Sequence, residues 1–315
     1  MTEFSIIVTS YFEENSIDEF VERTITTMRN TGRSFELVLV NDGSTDATFA
    51  RHRALFDQYP EISHAIDLYR NTGQICAMAC GIAHASGDNF VFIDSDLQLD
   101  PEELPMLIAE FDTGLDIVSG RRAQRADSWR RKIPSWIANK VMARVAKHPL
   151  TDFGCTFKIY RGSLVRAFGF GPYKPWKTAF VFRHAGRVKE VDVTHHERRY
   201  GESGWTTYKL ASFLFDNVTG IASRPFLLTA LAAGLFGLLV LLRLLIAPFI
   251  PGGFLPQAGG GLIINVILLS TLINMVGFSA VGEYVFRIHA RTENDPIYVI
   301  RDHLSKASGA GRDGD

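Results

Sequence analysis

Charge is almost missing from one long stretch of this sequence. Between Pro225 and Phe286 there are 62 residues and two charged side chains, Arg243 and Glu283. The other 253 residues carry the remaining 65 of 67, roughly one in four, as a globular domain does. A single, uniform soluble fold is therefore excluded. Cysteine is sparse as well. Cys76, Cys80 and Cys155 are too few and too odd in number for a disulfide framework. Cys76 and Cys80 could meet on a helix, but no second pair accompanies them, so buried free thiols are expected rather than zinc. The sequence contains neither GxGxxG nor GxxxxGK[ST], which excludes a dinucleotide fingerprint and a P-loop. The histidines of HHERR do not follow the HExxH order of a zinc hydrolase. The opening MTEFSIIVTSYFEEN, with Glu3, Glu13 and Glu14, lacks the pattern of a secretory signal, so the charged part is expected to stay in the cytosol. Nothing points to nucleic acid.

The uncharged quarter reads as a membrane hairpin. Residues 225–247 and 261–286 are each long enough to cross a bilayer as a helix, and the loop between them, IAPFIPGGFLPQAGGG, is rich in proline and glycine. That loop has no Lys or Arg. Lys209 and Arg224 precede the first span, and Arg287, Arg291 and Arg301 follow the second, so both ends belong in the cytoplasm. Residues 205–224 read as an amphipathic helix in the membrane interface, with Leu210, Phe213, Leu214 and Val218 on one face. A plain helix of the domain competes with that reading. Residues 287–315 are left as a cytoplasmic tail ending in the disordered KASGAGRDGD.

Residues 1–204 form the charged domain. FSIIVTS (4–10), FELVLV (35–40), ISHAIDLY (62–69) and DNFVFID (88–94) are short apolar, β-branched runs and predict buried strands. A small-residue helix is expected over 73–85, and Asp46 is placed to cap a helix after the second strand. Strands alternating with helices predict an α/β fold with a mostly parallel sheet covered on both faces. Such sheets bind ligands beyond the carboxyl ends of their strands. The polar clusters fall there: Tyr11 and Glu13 after the first strand, Asp42 after the second, and Asp94-Ser95-Asp96-Leu97-Gln98 after the most apolar one. Two carboxylates two residues apart can aim at one point and suit Mg²⁺ or Mn²⁺ held against phosphate. A DxD alone is usually a solvated turn, but its place after an apolar strand, in step with Asp42, favours a site.

From Arg121 to Lys147 nine basic residues, Arg131 among them, face one acid, Asp127. Most of these are expected to lie on a solvated face; the excess suits anionic head groups or a phosphate substrate. A second polar cluster, His195 to Ser203 with Arg198 inside it, directly precedes the interfacial stretch and suits phosphate.

Taken together these residues resemble the inverting family 2 glycosyltransferases of GT-A fold that act on polyprenyl phosphates, the group of the dolichol-phosphate mannose synthases and the undecaprenyl-phosphate sugar transferases. The marks are VTSYFEEN, LVLVNDGSTDAT, RNTGQICAMACGIAHASGD, FIDSDLQLDPEELP, DFGCTFKIYRG, HERRYGES and GEYVFRIH, which span almost the whole chain. RADSWRRKIPSWIANKVMAR and HHERRYGES add a particular likeness to transferases of 4-deoxy-4-formamido-L-arabinose. The resemblance implies a Rossmann-like catalytic domain and transfer of a sugar from a nucleotide sugar to a polyprenyl phosphate at the inner or plasma membrane, for cell-envelope glycan or lipid A modification. Asp94, Asp96 and Gln98 match positions that hold metal, Mg²⁺ or Mn²⁺, and donor diphosphate. Tyr11, Glu13, Asp42 and Ser95 belong to the nucleotide-sugar side. Arg121, Arg131, His195, Arg198 and Ser203 match positions near the phosphates or the acceptor, and Asp96, Arg121, Arg131 and Arg198 are the implied catalytic set.

There are departures. Thr9 stands where the family usually has Pro, Phe12 where it has Asn, Asn41 where DDGS begins with Asp, and Gly204 where Lys often follows Ser203. The first three border the nucleotide pocket, so base and sugar stay open among UDP-formamido-arabinose, UDP-glucose, UDP-N-acetylhexosamine and GDP-mannose. A processive polysaccharide synthase is the main rival, but no glutamine begins the QxxRW such chains carry. A non-catalytic nucleotide-binding membrane scaffold is a second, against which the intact DSDLQ argues. The sequence leaves oligomeric state open, a homo-oligomer included.

Overall fold

The computed structural model describes residues 2–122, 142–144, 146–196, 260–292 and 295–306. They fall into two compact units, one drawn from Met1–Asn217 together with Pro296–Asp315, the other from Val218–Asp295.

The first unit is built on one eight-stranded sheet. Its strands are β1 (Phe4–Ser10), β2 (Phe35–Asn41), β3 (Ile62–Leu68), β4 (Asn89–Phe92), β5 (Ile117–Arg122), β6 (Lys158–Arg161), β7 (Val188–Val193) and β8 (Ile300–Ser305), in the order β7-β5-β6-β4-β1-β2-β3-β8. β4, β1, β2 and β3 run parallel to one another, and β5 runs parallel to β7. β6 is antiparallel to both its neighbours, and β8 is antiparallel to β3. The expected mostly parallel α/β sheet is thus present, with antiparallel additions. β1 and β2 are buried along nearly their whole length, which is why they read as unbroken apolar runs rather than alternating ones.

Helices α1 (Ile17–Thr31), α2 (Thr48–Gln58), α3 (Gln74–His84), α4 (Leu104–Phe111), α5 (Gly162–Arg166) and α6 (Thr178–His184) accompany the sheet. α1 buries Ile17, Phe20, Val21, Thr24, Ile25 and Met28, a stripe of helical period, and ends at Gly32, whose φ of 68° suits a left-handed cap. α3 lies close on the sheet because it is made of small residues. A Cβ on Gly81 would sit 2.3 Å from Cγ2 of Ile7, so a larger side chain would lift the helix. The N-cap of α2 is Ala47 rather than the expected Asp46, which sits one residue earlier and whose carboxylate accepts the Thr48 N–H at 3.1 Å in a turn leading into the helix.

Two further expectations change. The stretch after the second span was expected to be a tail, yet Ile300–Ser305 returns as edge strand β8, pairing with β3 over His64–Leu68. Its alternating Ile-Arg-Asp-His-Leu-Ser is the pattern of a half-exposed strand, too short and too charged to stand out in sequence. In the second unit, Gly260–Thr292 forms one helix, α7, of 33 residues, which contains the expected second span 261–286. Taken over the described residues, no helix is long and apolar enough to cross a membrane. The expected interfacial helix 205–224, the first span 225–247 and the KASGAGRDGD tail beyond Lys306 lie outside the described residues.

Candidate functional site

β1 has β2 on one side and β4 on the other, so the order of strands reverses there. Loops leaving neighbouring strands at such a reversal diverge and open a crevice at the carboxyl ends. The sequence-predicted residues leave the sheet at this point: Tyr11 and Glu13 after β1, Asp42 after β2, and Asp94, Ser95, Asp96 and Gln98 after β4.

Asp42 is buried, and both its oxygens are engaged. Oδ1 accepts the Thr72 N–H at 2.8 Å and the Thr72 hydroxyl at 3.0 Å, and Oδ2 accepts the Gly73 N–H at 2.9 Å. Burial pushes its carboxyl above the usual range, opposed by those three donors. The carboxylate also lies at the N-terminal end of α3, where the helix dipole favours negative charge. The turn after Asp42 is tight: a Cβ on Gly43, φ 67°, would lie 2.2 Å from the Arg70 carbonyl carbon.

The next residue along, Gln74, ties this loop to the metal motif. Its side-chain amide donates to Asp94 Oδ1 at 2.6 Å, and the Thr156 hydroxyl donates to Asp94 Oδ2. Adjacent residues 73 and 74 therefore hold Asp42 and Asp94 as one assembly. Burial, then the neighbouring Asp96 charge, push the Asp94 carboxyl up to about 6; Thr156, Arg122 and Lys158 oppose this. Asp96 is buried, and its Oδ1 accepts the Gln98 N–H at 3.1 Å, a turn closed on the motif's own backbone. Between them Leu97 sits at φ 57°, a left-handed conformation that costs a branched side chain about 1 kcal/mol or more. The buried Leu97 side chain, packed in the core, holds it there.

Ser95 is buried between the two carboxylates. Its hydroxyl lies 3.5 Å from the Thr9 carbonyl and 3.2 Å from the Ser10 hydroxyl, which is 3.3 Å from Nε2 of the fully buried His52. His52 Nδ1 has no partner among the described residues. A bare lone pair is cheaper to bury than a bare N–H, so Nε2 carries the proton. The donors then run one way, from His52 through Ser10 and Ser95 to the Thr9 carbonyl.

Tyr11 and Phe12 are exposed aromatics at the mouth of the crevice, their rings edge to face at 4.5 Å. Phe12 has φ 57°, a conformation that Asn tolerates and Phe does not. Glu13 is buried and accepts the Ser16 hydroxyl at 2.5 Å, while its N–H donates to Thr48.

Alternation along β5 separates two arginines. Arg121 is exposed and forms a bidentate pair with Asp192 at 2.5 and 2.8 Å. Arg122 turns inward, pairs bidentately with the buried Asp152 at 2.7 and 2.8 Å, and is the one whose charge acts on Asp94. Lys158, also buried, donates to the Phe153 carbonyl at 3.3 Å, and burial pulls its ammonium below the usual lysine range. At the end of β7, His195 is half-buried. Its neighbour His196 donates its N–H to the Gln98 carbonyl at 2.9 Å, and its ring meets Asp100 at 2.7 Å. The histidine pair is thereby laid against the loop leaving the metal motif. Arg131, Arg198 and Ser203 lie outside the described residues. Sequence reasoning assigned no role to Gln74, Thr156, Arg122, Lys158 or His52, although GQICAMAC and DFGCTFK were singled out as segments.

Known proteins are similar to this chain in fold and in sequence. Glucosyl-3-phosphoglycerate synthase from Mycobacterium tuberculosis, solved with phosphoglyceric acid, superposes with a TM-score of 0.52 at 19% identity, over 71% of this chain and 80% of that one. The same enzyme solved with Mn²⁺ and UDP-glucose gives 0.51 at 19%, over 71% and 79%. TarS from S. aureus with UDP-GlcNAc gives 0.47 at 19%, over 70% and 68%. The first two likenesses speak to the fold, which is GT-A. In sequence, the glycosyl transferase family 2 pattern matches residues 5–169, a little over half of the chain and every strand of the crevice described above. This chain belongs to glycosyl transferase family 2 and is a glycosyltransferase.

Proposed function

We propose that the chain transfers a sugar from a UDP-linked donor to a polyprenyl phosphate at a membrane surface, with inversion at the anomeric carbon. The observation that carries the donor half is the joining of Asp42 to the Asp94-Ser95-Asp96 turn through Gly73 and Gln74. One end of a nucleotide reaches Asp42 while its diphosphate reaches the carboxylate pair. Asp42 Oδ2 accepts a single hydrogen bond and keeps a lone pair, which suits an imide N–H such as that of uracil. Tyr11 and Phe12 offer an aromatic face beside it. The M. tuberculosis relative, solved with UDP-glucose and Mn²⁺, supports the same donor class.

The carboxylates fit a hard divalent cation. Among the described residues no group of three His, Cys, Asp or Glu could hold a metal ion, but Mg²⁺ sites commonly use one or two carboxylates and complete the shell with substrate phosphate. The Asp94 carboxyl, raised by burial and by Asp96, is a pair of like charges short of a cation. Held by Asp94 and Asp96, with Gln98 adjoining, Mg²⁺ or Mn²⁺ would offset the charge on a departing nucleoside diphosphate. Arg122 and Lys158 add fixed positive charge behind Asp94. An acceptor phosphate is already an anionic nucleophile and needs alignment rather than deprotonation. His195, together with Arg131, Arg198 and Ser203, is the acceptor-side set.

The membrane half rests on the 62 residues with two charges, supported by the 33-residue α7, on which Ile263, Ile267, Phe278, Val281, Val285 and Ile288 are exposed. With no Lys or Arg in the loop, the catalytic unit and both flanks of the hairpin face the cytoplasm. The test is transfer of radiolabelled glucose from UDP-glucose, with Mn²⁺, to a short polyprenyl phosphate or to 3-phosphoglycerate by purified protein. Product on the lipid phosphate alone, abolished in Asp96→Ala with an unchanged melting temperature, is expected. Transfer to phosphoglycerate alone would overturn the acceptor, and full activity in Asp96→Ala the metal motif.

A further inference from the structure

Two strands, β2 and β3, separate the edge strand β8 from β1, yet an unbroken polar chain joins β8 to the turn after β1. Arg301 of β8 reaches Asp67 of β3, its Nε 2.6 Å and its Nη2 2.5 Å from Oδ2. Asp67 is 2% exposed. Its other oxygen accepts the Asn41 side-chain N–H at 2.7 Å. The Asn41 side-chain Oδ1 accepts from the Ser44 hydroxyl and, at 3.4 Å, from the Ser44 N–H. The Ser44 hydroxyl oxygen in turn accepts the Phe12 N–H at 3.1 Å. Backbone bonds hold the same edge: the Tyr69 N–H donates to the Val299 carbonyl at 3.0 Å and the Ile297 N–H to the Pro172 carbonyl at 2.7 Å.

We propose that Arg301 is a positioning residue for the donor site, acting through Asp67, Asn41 and Ser44 to hold the Tyr11–Phe12 turn; this rests on the donor reading given above. A charged carboxylate can only accept, so Asp67 turns the Asn41 amide nitrogen toward itself and the Asn41 oxygen toward Ser44. Ser44 must then spend its proton on Asn41, which leaves its lone pair for the Phe12 N–H. Phe12 needs that acceptor because it sits at φ 57°, and a strained conformation persists only where its surroundings over-determine it. Arg301 is what fixes the Asp67 carboxylate in its buried position, its Nε and Nη2 both on Oδ2 while Oδ1 faces Asn41. Without Arg301, Asp67 Oδ2 is no longer held, the carboxylate is free to rotate away from Asn41, the Asn41 amide is free to turn over, and the Phe12 N–H loses its oriented acceptor. The chain that follows α7 thus completes the donor crevice rather than trailing from it.

The experiment is calorimetric titration of the full-length protein with UDP in saturating Mn²⁺, for Arg301→Met, Arg301→Lys, Ser44→Ala and the Arg301→Met/Ser44→Ala double variant, with Phe12→Ala as control. Arg301→Met and Ser44→Ala are each expected to weaken UDP binding about tenfold, the value of one well-formed hydrogen bond in a chain, and the double variant no further than Ser44→Ala alone. Arg301→Lys, which keeps the charge, should recover most of the loss, and in turnover assays the effect should fall on donor KM rather than kcat. Wild-type UDP affinity in Arg301→Met, or losses that multiply in the double variant, would overturn the relay. If Phe12→Ala leaves UDP affinity intact, the donor reading itself fails; if Phe12→Ala weakens it and Arg301→Met does not, the relay alone fails. Should Arg301→Met not fold, Arg301→Lys and Ser44→Ala decide between the same two outcomes.

Discussion

Replacing Asp42 by Asn separates two jobs that the side chain performs at once. The native carboxylate receives two backbone N–H groups and a hydroxyl from Thr72 and Gly73 while 3% exposed. An amide keeps one oxygen, which can still take the two bonds from Thr72. Its NH₂ group then stands against the Gly73 N–H, donor to donor. One charge-assisted bond is lost, worth about 1.5–3 kcal/mol, and a buried N–H goes without an acceptor. A total near 2–3 kcal/mol corresponds to about a 30- to 150-fold change in an equilibrium constant. If Asp42 also accepts from the base, UDP affinity in Mn²⁺ should fall by that order, with donor KM rising in step and acceptor KM unmoved. Calorimetric titration of UDP, set beside thermal melts of the same samples, measures both. A lower melting temperature with UDP affinity within about twofold of wild type would show that Asp42 anchors the loop and nothing more, and would refute its assignment to the nucleotide.

Other perturbations test neighbouring pieces. Phe12→Asn should relieve the left-handed strain, about 1 kcal/mol and a few degrees of melting temperature, while weakening UDP binding through the lost aromatic face; a destabilised variant would contradict the strain. Burial, the principal cause, pulls His52 down to about 3. The folded chain therefore refuses a proton that the unfolded chain takes up below pH 6.5, so stability should decline from about pH 6.5 toward pH 3 and level off below. His64 and His303, lowered by burial and by neighbouring histidines, act in the same direction. His52→Phe should flatten the acid side of the melting profile, and parallel profiles would refute the assignment. Arg122→Met, which strips the bidentate guanidinium from the buried Asp152, should cost about 3 kcal/mol and most of the activity, whereas Arg121→Ala, facing an exposed Asp192, should leave the melting temperature nearly unchanged and cost little turnover; the reverse ranking in paired melts and assays would put Arg121, not Arg122, closer to the chemistry.

Much of the first unit was legible in the sequence because buried parallel strands leave a one-dimensional signature. Phe4–Ser10 is legible to both its ends, and the strands beginning at Phe35 and Ile62 to within one residue. Covered on both faces, they must be apolar throughout, and the polar residues that follow must mark their carboxyl ends. That was enough to place Tyr11, Asp42, Asp94 and Asp96 at one edge of the sheet. β8 was missed because a six-residue edge strand alternates polar with apolar and is indistinguishable from a polar tail. Arg121 and Arg122 are equally basic neighbours in sequence: adjacent strand residues point to opposite faces, and only the pairing with β6 and β7 says that Arg122 is the one turned toward Asp152 and Asp94.

The sequence by itself determined the division into a charged part and an uncharged quarter, the run of strands, and the residue types that collect beyond their ends. These follow from composition and local periodicity, which any short window of chain already contains. The tertiary structure alone decided which of those residues touch. Gln74 joins Asp42 to Asp94, Thr156 closes on Asp94 from 62 residues away, and Arg301 reaches Asp67 across 234. Such contacts depend on strand order and register, and hydrogen bonds form only within about 3 Å, a distance that no spacing along the chain prescribes.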